Sequence, residues 1–308
     1  AFIFNIHRQG NYFHFVVDSL PRLMAVLELA SEEIIILHAH QIENHVSEYF
    51  ELLERTYRCQ FQPFPGPSMR HIKITSPALY IDLSRRLTYS SEYHKTTWRS
   101  LERDPQLKLL GLQLSDLAPT HKTTTPFLSR KFDFPISKSW KNTVTGETYK
   151  NGTSRYQYSP SALNLVNSWG QQFAAPASLS KSPRIFVTRR PESTRKRFLA
   201  NEGELRERLN GFTWVDFSDL KVIEQIGMMS HCSILIGLTG AGLANAVFMN
   251  PGGHVIELAP IGYSLPATDL IEQLCHALDL THQRLFSSPL DTSGSTTVNV
   301  SDLVQLLE

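Results

Sequence analysis

Few cysteines, no long apolar run and almost no excess charge characterise this chain, and each absence argues against one class of protein. Three cysteines scattered over 308 residues do not make a disulfide framework, and no Cys-x-x-Cys pair indicates a zinc knuckle. No apolar run approaches the roughly 20 residues that span a bilayer. A formal net charge of +1 argues against a nucleic-acid binder with a wholly basic surface. The composition therefore predicts a soluble globular protein whose charged sites are local.

Helix and strand patterns alternate along the chain, which predicts an α/β fold with mainly parallel sheets. A chain of 308 residues exceeds what one hydrophobic core supports, so we expect two domains. The best linker is the Ala/Ser/Pro-rich segment 174–183, which predicts Rossmann-like domains over 1–178 and 179–308. The polar stretch 115–158 has no sustained period and is predicted to be a loop or insertion in the first domain.

Two regions contain the predicted elements on which the functional argument depends. In the first domain, a helical pattern covers 11–30 with Pro21 inside it. In the second domain, strand patterns alternate with helical ones. The strand patterns cover Ile185–Thr188, Phe212–Asp216, Ser233–Leu238, Val255–Leu258 and the neighbourhood of Gln283–Phe286. The helical patterns cover Asn201–Leu209, Lys221–Ser230 and Asp269–Leu278.

A glycine turn separates two of these strand patterns. The run 233–238 breaks at Thr239-Gly240-Ala241-Gly242, and an apolar segment leads from there to the next strand. A glycine turn between a strand and a helix start lets a phosphate approach the backbone and meet free N–H groups. Asn245 stands where a dinucleotide fingerprint needs a third small residue, so NAD is disfavoured. A tight turn between two buried strands is the alternative.

A basic cluster follows the strand pattern 185–188 closely, with Arg189, Arg190, Arg195, Lys196 and Arg197. Sheets of α/β proteins bind ligands at the carboxyl ends of their strands, and an Arg fork matches phosphate oxygens. We therefore interpret the cluster as a phosphate-binding site. A solvated basic loop is the alternative, and a nucleic-acid patch is disfavoured because no aromatic residues are interleaved.

Polar groups interrupt the otherwise apolar helix of the first domain. His14 and Asp18 are four residues apart and share one face, which Arg22 continues if Pro21 only kinks the helix. A His–Asp pair can supply a general base, since the carboxylate orients the ring or takes the proton itself. A structural pair at a domain interface is the alternative.

Other acidic residues and histidines are weaker candidates. Glu257 ends a predicted buried strand, where it could accept from ribose hydroxyls or form a plain salt bridge. Glu224 lies on a predicted helix, where a polar side chain facing solvent is the ordinary interpretation. His38 and His40 share one strand face and His45 follows, but no acidic or Cys partner completes a metal site. We therefore expect no metal.

Four segments together resemble glycosyltransferase family 61. They are NYFHFVVDSLPRL at 11–23, IFVTRR at 185–190 with Arg197 and Asn201-Glu202 behind it, EQI at 224–226, and GAGLANAVFMNPGGHVIEL at 240–258. The resemblance implies a GT-B-like fold, in which two Rossmann-like domains face each other across a cleft. It also implies inverting transfer from a UDP-sugar, with the donor in the second domain and the acceptor nearer the first.

With this resemblance, the candidate residues take definite roles. The base is Asp18, with His14 as its partner or rival. The donor diphosphate is bound by Arg189, Arg190, Arg197, Thr239, Gly240, Ala241 and Gly242. The nucleoside or ribose is contacted by Asn245, Glu257 and Glu224, and the acceptor or cleft by Asn11 and Arg22. No cofactor is expected, and since no Asp-x-Asp motif is present, arginines and a helix N-terminus take the place of a metal ion.

One position departs from the family. The family usually places His before the Gly-Ala-Gly turn, where this chain has Thr239. A threonine hydroxyl donates a hydrogen bond but has no charge near neutral pH. The departure leaves three possibilities open: the diphosphate is bound less tightly, a different donor is used, or the activity is lost. A non-catalytic nucleotide-sugar-binding module and another α/β nucleotide-dependent transferase therefore stay alternatives.

The expected partners are a UDP-sugar, carrying GlcNAc or a pentose, and a hydroxyl of a glycan, glycoprotein or lipid-linked acceptor. No nucleic-acid partner is expected, and the oligomeric state is not predicted. We expect a cytoplasmic protein of bacterial type, with peripheral association at the inner face of the membrane left open. The chain begins within a strand-like run, Phe2-Ile3-Phe4, so a removed N-terminal anchor and a place in the ER or Golgi lumen are the alternative.

Overall fold

The computed structural model describes part of the chain and divides it into two compact units. The described residues are 2–3, 11–30, 33–38, 42–63, 79–80, 139–141, 148–150, 158, 160–174, 183–191, 197–262 and 270–308. The first unit comprises Ala1–Phe132 with Gln157–Leu165, and the second comprises Asp133–Tyr156 with Val166–Glu308. His40 and most of the predicted insertion at 115–158 lie outside the described residues. The predicted domain boundary near 178 stays a prediction.

The first unit contains a parallel four-stranded sheet with the order β3-β2-β1-β4. Its strands are β1 Phe2–Ile3, β2 Ile34–His38, β3 Cys59–Pro63 and β4 Leu79–Tyr80. In the described part of this unit, the helical elements are α1 Tyr12–His14, a π-helical segment Phe15–Ser19, α2 Leu20–Leu29 and α3 Asn44–Thr56. Because the first helical run follows β1 and α3 follows β2, both begin at the carboxyl edge of the sheet.

The core of this unit follows from helical spacing of apolar residues. On α3, Val46, Tyr49 and Leu53 recur at intervals of three and four and are fully buried. The Phe15 ring lies 5.3 Å from the Tyr49 ring, centroid to centroid. Burial of each such side chain contributes about 1.5–3 kcal/mol. These contacts pack the first helical segment, residues 12–29, against α3.

The predicted helix over 11–30 is confirmed, with a local widening before Pro21. The amide of Leu20 donates to the carbonyl of Phe15, five residues back rather than four. Pro21 has no amide proton, and in a regular α-helix its ring would collide with the carbonyl four residues earlier. A π-helical turn relieves this collision, so the helix continues past the proline.

The second unit contains a five-stranded, fully parallel sheet with the order β12-β11-β10-β7-β9. The strands are β7 Arg184–Val187, β9 Phe212–Val215, β10 Ile234–Leu238, β11 His254–Pro260 and β12 Thr281–Ser287. A row of paired residues, Trp214, Phe186, Ile236 and Ile256, crosses four of them. The last three of these are fully buried, and Trp214 stacks on Phe186 at 4.0 Å.

Helices and short strands complete the second unit. The α-helices are α4 Pro160–Gln171, which begins in the first unit, α5 Glu202–Arg208, α6 Val222–Met229, α7 Leu270–Ala277 and α8 Val300–Gln305. Two 3-10 helices cover Phe217–Asp219 and Ala241–Phe248. Two short strand pairs are β5 Ser139–Lys141 with antiparallel β6 Thr148–Lys150, and β8 Phe198–Leu199 with parallel β13 Ser295–Thr296.

The α/β class with mainly parallel sheets is confirmed, whereas the GT-B-like arrangement of two domains stays a prediction. The five strands of the second sheet begin and end within about two residues of their predicted bounds. The sequence-based prediction lacks β3, β8 and β13, and also β5 and β6 within the predicted loop 115–158, because these strands are short or have no alternating apolar pattern. Within the described ranges, every helix is too short or too polar to cross a membrane.

Candidate functional site

The strand order of the second sheet defines where a ligand can bind. Counted along the chain, the five strands have the order 2-1-3-4-5, so the connections turn in opposite directions on either side of the boundary between β7 and β10. In open α/β sheets the crevice for ligands lies at this switch point, at the carboxyl ends of the strands. Arg189 follows β7 there, and Gly240 follows β10.

Two guanidinium groups converge on Gly240. A Cβ built on this glycine would overlap Nη2 of Arg189, and would lie 3.1 Å from Cζ of Arg189 and 3.2 Å from Nη2 of Arg197. A side chain at position 240 would therefore displace the Arg189 guanidinium from its present position. Two like charges held this close repel each other, and a bound anion would relieve the repulsion. The structure thus brings together two of the three predicted phosphate-binding arginines.

Arg197 reaches the turn although it lies well beyond β7 in the sequence. Its side chain is buried, and its Nη1 donates to the carbonyl of Thr239 at 2.8 Å. The residue directly precedes β8, which pairs with β13 near the end of the chain. Asn201 extends this pairing. Its side-chain nitrogen donates to the carbonyl of Val298 at 2.8 Å, and its side-chain oxygen accepts from the backbone amide of Val298 at 3.3 Å. The Asn201 side chain therefore joins two segments, while its backbone carbonyl accepts from the amide of Leu205 in the helix that follows.

Close packing on β7 positions the helix that follows the glycine turn. A Cβ on Gly242 would lie 2.8 Å from Cγ1 of Val187, and a Cβ on Gly237 would lie 3.0 Å from Cβ of the same valine. The 3-10 helix Ala241–Phe248 consequently begins directly beside β7. The first amides of a helix have no partner within it and carry a partial positive charge. The helix start adds to the positive field of the two arginines.

Side-chain amides hold the far end and the flank of this helix. Asn167 of α4 donates to the carbonyls of Val247 and Met249 at 2.7 and 2.8 Å. Asn245, which is fully buried, donates to Gln225 at 3.1 Å, and Gln225 donates to the carbonyl of Phe217 at 3.0 Å. Asn245 therefore lies in an internal amide network. Its predicted contact with a nucleoside stays a prediction.

Glu257 lies in the middle of β11, rather than at its end as predicted, and its carboxylate is fully buried. One oxygen, Oε2, accepts from Arg284 Nη2 at 2.7 Å and Nε at 2.9 Å, and lies 3.1 Å from Nε2 of His282. The other oxygen, Oε1, accepts from the Thr239 hydroxyl at 2.8 Å. Sequence reasoning missed Arg284 and His282. Arg284 could have been found from the sequence, because it is a charged residue within the strand predicted near 283–286.

The Glu257 cluster predicts a pH-dependent stability. Burial alone would raise the pKa of this carboxyl, but Arg284 and the hydrogen bond from His282 lower it from 4.5 to about 2. A depressed pKa stabilises the fold above the unfolded value, and this contribution is lost as the pH falls towards the folded value. We expect Glu257→Gln to lower the free energy of unfolding by about 3 kcal/mol at pH 7. Denaturant titrations should show the difference shrinking from pH 4.5 to pH 3; a constant difference would contradict the assignment.

Arg190 and Glu224 make contacts with their own neighbourhood. Arg190 is exposed and forms an ion pair with Asp219, and its Nε lies 3.7 Å from Asp216. Glu224 accepts from the amide of Lys221 at 2.8 Å, which caps the start of α6. Contacts of Arg190 with a diphosphate and of Glu224 with a ribose stay predictions.

In the first unit, the structure brings His14 and Asp18 together as their spacing predicted. Nδ1 of His14 lies 2.6 Å from Oδ2 of Asp18, with the carboxylate side chain 29% exposed. Asp18 lies inside the π-helical segment, on the helix that follows β1. Asn11 starts that helix by accepting from the amide of Phe15 at 3.0 Å, and Arg22 lies one turn beyond Asp18. An accessible carboxylate paired with an imidazole can accept a proton.

The histidines that suggested a metal have aromatic neighbours. His38 is buried with its ring 5.2 Å from Phe50, and the His45 ring lies 5.3 Å from Tyr12 and 5.8 Å from Phe15. In the part of the chain that the structure describes, no group of three or more His, Cys, Asp or Glu residues could hold a metal ion.

Arginines gathered at the switch point of a parallel sheet are an arrangement that many α/β proteins use for phosphate-bearing ligands. Comparison with protein families specifies the class. The model of the family described as Glycosyltransferase 61 matches residues 12–256, which is more than half of the chain. The chain belongs to glycosyltransferase family 61. No curated protein matches it. The matched region includes the His14–Asp18 pair, the arginines and the glycine turn, and it ends one residue before Glu257.

Proposed function

We propose that this family 61 protein is an inverting glycosyltransferase that moves a sugar from a UDP-sugar to a hydroxyl of a glycan, glycoprotein or lipid-linked acceptor. The observation that supports this most strongly is the meeting of Arg189, Arg197 and the helix start at Gly240. A diphosphate carries the charge and the several acceptor oxygens that such a site binds. The sugar is GlcNAc or a pentose, as the resemblance to the family implies.

The reaction we propose is a single displacement. The acceptor oxygen attacks the anomeric carbon from the face opposite the diphosphate, while the bond between that carbon and the diphosphate oxygen breaks. Asp18 takes the proton of the acceptor hydroxyl, and His14 orients the carboxylate through its 2.6 Å contact. The leaving UDP gains negative charge, which Arg189, Arg197 and the first amides of the 3-10 helix stabilise. These fixed positive groups take the role that a divalent metal has in other transferases.

Thr239 favours a second candidate, a module that binds a nucleotide sugar without turnover. Its hydroxyl has one proton, which is donated to Glu257 rather than towards the crevice. A contact of Thr239 with a diphosphate stays a prediction. A threonine at this position supplies no positive charge. A site with fewer positive charges stabilises the leaving group less than it would with a protonated histidine.

A ligand screen followed by a turnover assay tests the proposal and separates it from both alternatives. Thermal shift with UDP, UDP-sugars, NAD and ATP identifies the ligand, since a hundredfold excess over Kd stabilises the protein by about 2.7 kcal/mol. UDP release from UDP-GlcNAc and UDP-xylose, with and without sugar acceptors, then measures turnover. Binding of UDP-sugar with acceptor-dependent release supports the transferase. Binding without release identifies a module, and a preference for NAD or ATP identifies another nucleotide-dependent enzyme.

A further inference from the structure

The buried carboxylate of Glu257 connects the interior of the second sheet to the phosphate-binding turn. The side chain is 0% exposed, so no ligand can touch it in this structure. Arg284 and His282 engage Oε2, while Oε1 accepts from the hydroxyl of Thr239. Burying an ion pair seldom stabilises a fold more than apolar packing would. The arrangement is therefore better explained by what Oε1 holds in place.

Thr239 is hydrogen-bonded both to β11 and to the guanidinium of Arg197. Its amide donates to the carbonyl of Leu258 at 2.9 Å, and its hydroxyl donates to Glu257 at 2.8 Å. Its own carbonyl accepts from Nη1 of Arg197 at 2.8 Å, while Nη2 of the same guanidinium lies at Gly240. A buried guanidinium keeps one orientation only where its acceptors are fixed. The orientation of Arg197 thus depends on the position of the Thr239 carbonyl.

We propose that Glu257 is a positioning residue, which acts through the Thr239 hydroxyl to aim the Arg197 guanidinium at the donor's diphosphate. This inference rests on the proposed function, and it replaces a direct contact of Glu257 with ribose. The chain of contacts runs from Arg284 to Glu257, Thr239 and Arg197 without a gap. Glu257 and Arg284 both lie beyond the region that the family model matches.

A pair of substitutions at Thr239 tests the inference. Thr239→Val keeps the shape and deletes the hydroxyl, whereas the matched control Thr239→Ser keeps the hydroxyl. Because the deleted bond goes to a charged acceptor, we expect Thr239→Val to weaken UDP binding by about ten-fold and Thr239→Ser to stay within about three-fold. Calorimetry with uridine is the second readout. Uridine has no diphosphate, so its affinity should be equal in both variants and in the wild type.

A double-mutant cycle separates positioning from general damage. If Thr239 acts through the Arg197 guanidinium, Thr239→Val should cost no further UDP affinity in an Arg197→Met background, which keeps the apolar stem. Additive losses, or an equal loss of uridine affinity, would overturn the inference. If the valine variant does not fold, Thr239→Ala enters the same cycle. A wild-type protein that does not bind UDP contradicts the proposed function, whereas UDP binding that is unchanged by Thr239→Val contradicts only the inference.

Discussion

Asp18→Asn should lower the rate of sugar transfer by roughly 10²–10⁴-fold while the affinity for UDP stays unchanged. A positioned general base contributes about this factor, and asparagine cannot take the proton of the acceptor hydroxyl. The fold should persist, because the amide oxygen still accepts from His14 at the 2.6 Å contact. The proposed donor site lies in the second unit, so the affinity for UDP should not respond to this change. Initial rates of UDP release in the presence of acceptor measure the transfer rate, and calorimetry measures the affinity for UDP.

A matched control for this substitution is Asp279→Asn in the second unit. Asp279 has a backbone φ of +55°, which asparagine adopts as readily as aspartate, and lies outside the proposed machinery. The same loss of one carboxylate there should leave the rate unchanged. Transfer by Asp18→Asn at a near wild-type rate would remove Asp18 as the base. His14→Gln would then be the next variant to measure, because His14 is the rival for the same role.

Arg189→Ala should weaken UDP binding by about ten-fold or more. The substitution removes charge-assisted hydrogen bonds to phosphate, each worth roughly 1.5–3 kcal/mol. Arg190→Ala is the comparison variant, since Arg190 is the next residue and has carboxylate partners in Asp216 and Asp219. We expect a smaller loss for Arg190→Ala. Equal UDP affinity in Arg189→Ala and the wild type would place the diphosphate elsewhere.

Gly240→Ala should reproduce much of the Arg189→Ala defect without removing a charge. The added methyl group would occupy the space that Nη2 of Arg189 fills, so the guanidinium has to shift away from its present position. Gly203→Ala is the control, because a Cβ there meets nothing within 4 Å and alanine favours the helix. UDP calorimetry on both variants makes the comparison. A Gly240→Ala protein that binds UDP as tightly as Gly203→Ala would show that the close approach is irrelevant to the ligand.

Local patterns in the sequence were sufficient for several parts of this structure. The strand over 234–238 and the turn at Gly240 follow from an apolar run that ends in glycines. The contact between His14 and Asp18 follows from a spacing of four residues on one helix. Each of these features depends on residues close together in the chain, where helix and strand periodicities determine which side chains meet.

The convergence of Arg189, Arg197 and Gly240 was decided by the tertiary structure. It requires β7 to lie beside β10, although β9 comes between them in the sequence. Arg197 further requires β8 to pair with β13, nearly a hundred residues later. Strand order and such distant pairings are set by packing over the whole unit rather than by local propensity.

The role of Glu257 shows the division between sequence and tertiary structure most clearly. The sequence by itself determined that a carboxylate lies on a buried strand near a glycine turn, and it left a ribose contact and a salt bridge open. Only the tertiary structure placed Arg284 and His282 of β12 beside β11 and turned the carboxylate away from solvent. A buried charge must be paired, and its partners come from whichever strand the fold makes its neighbour.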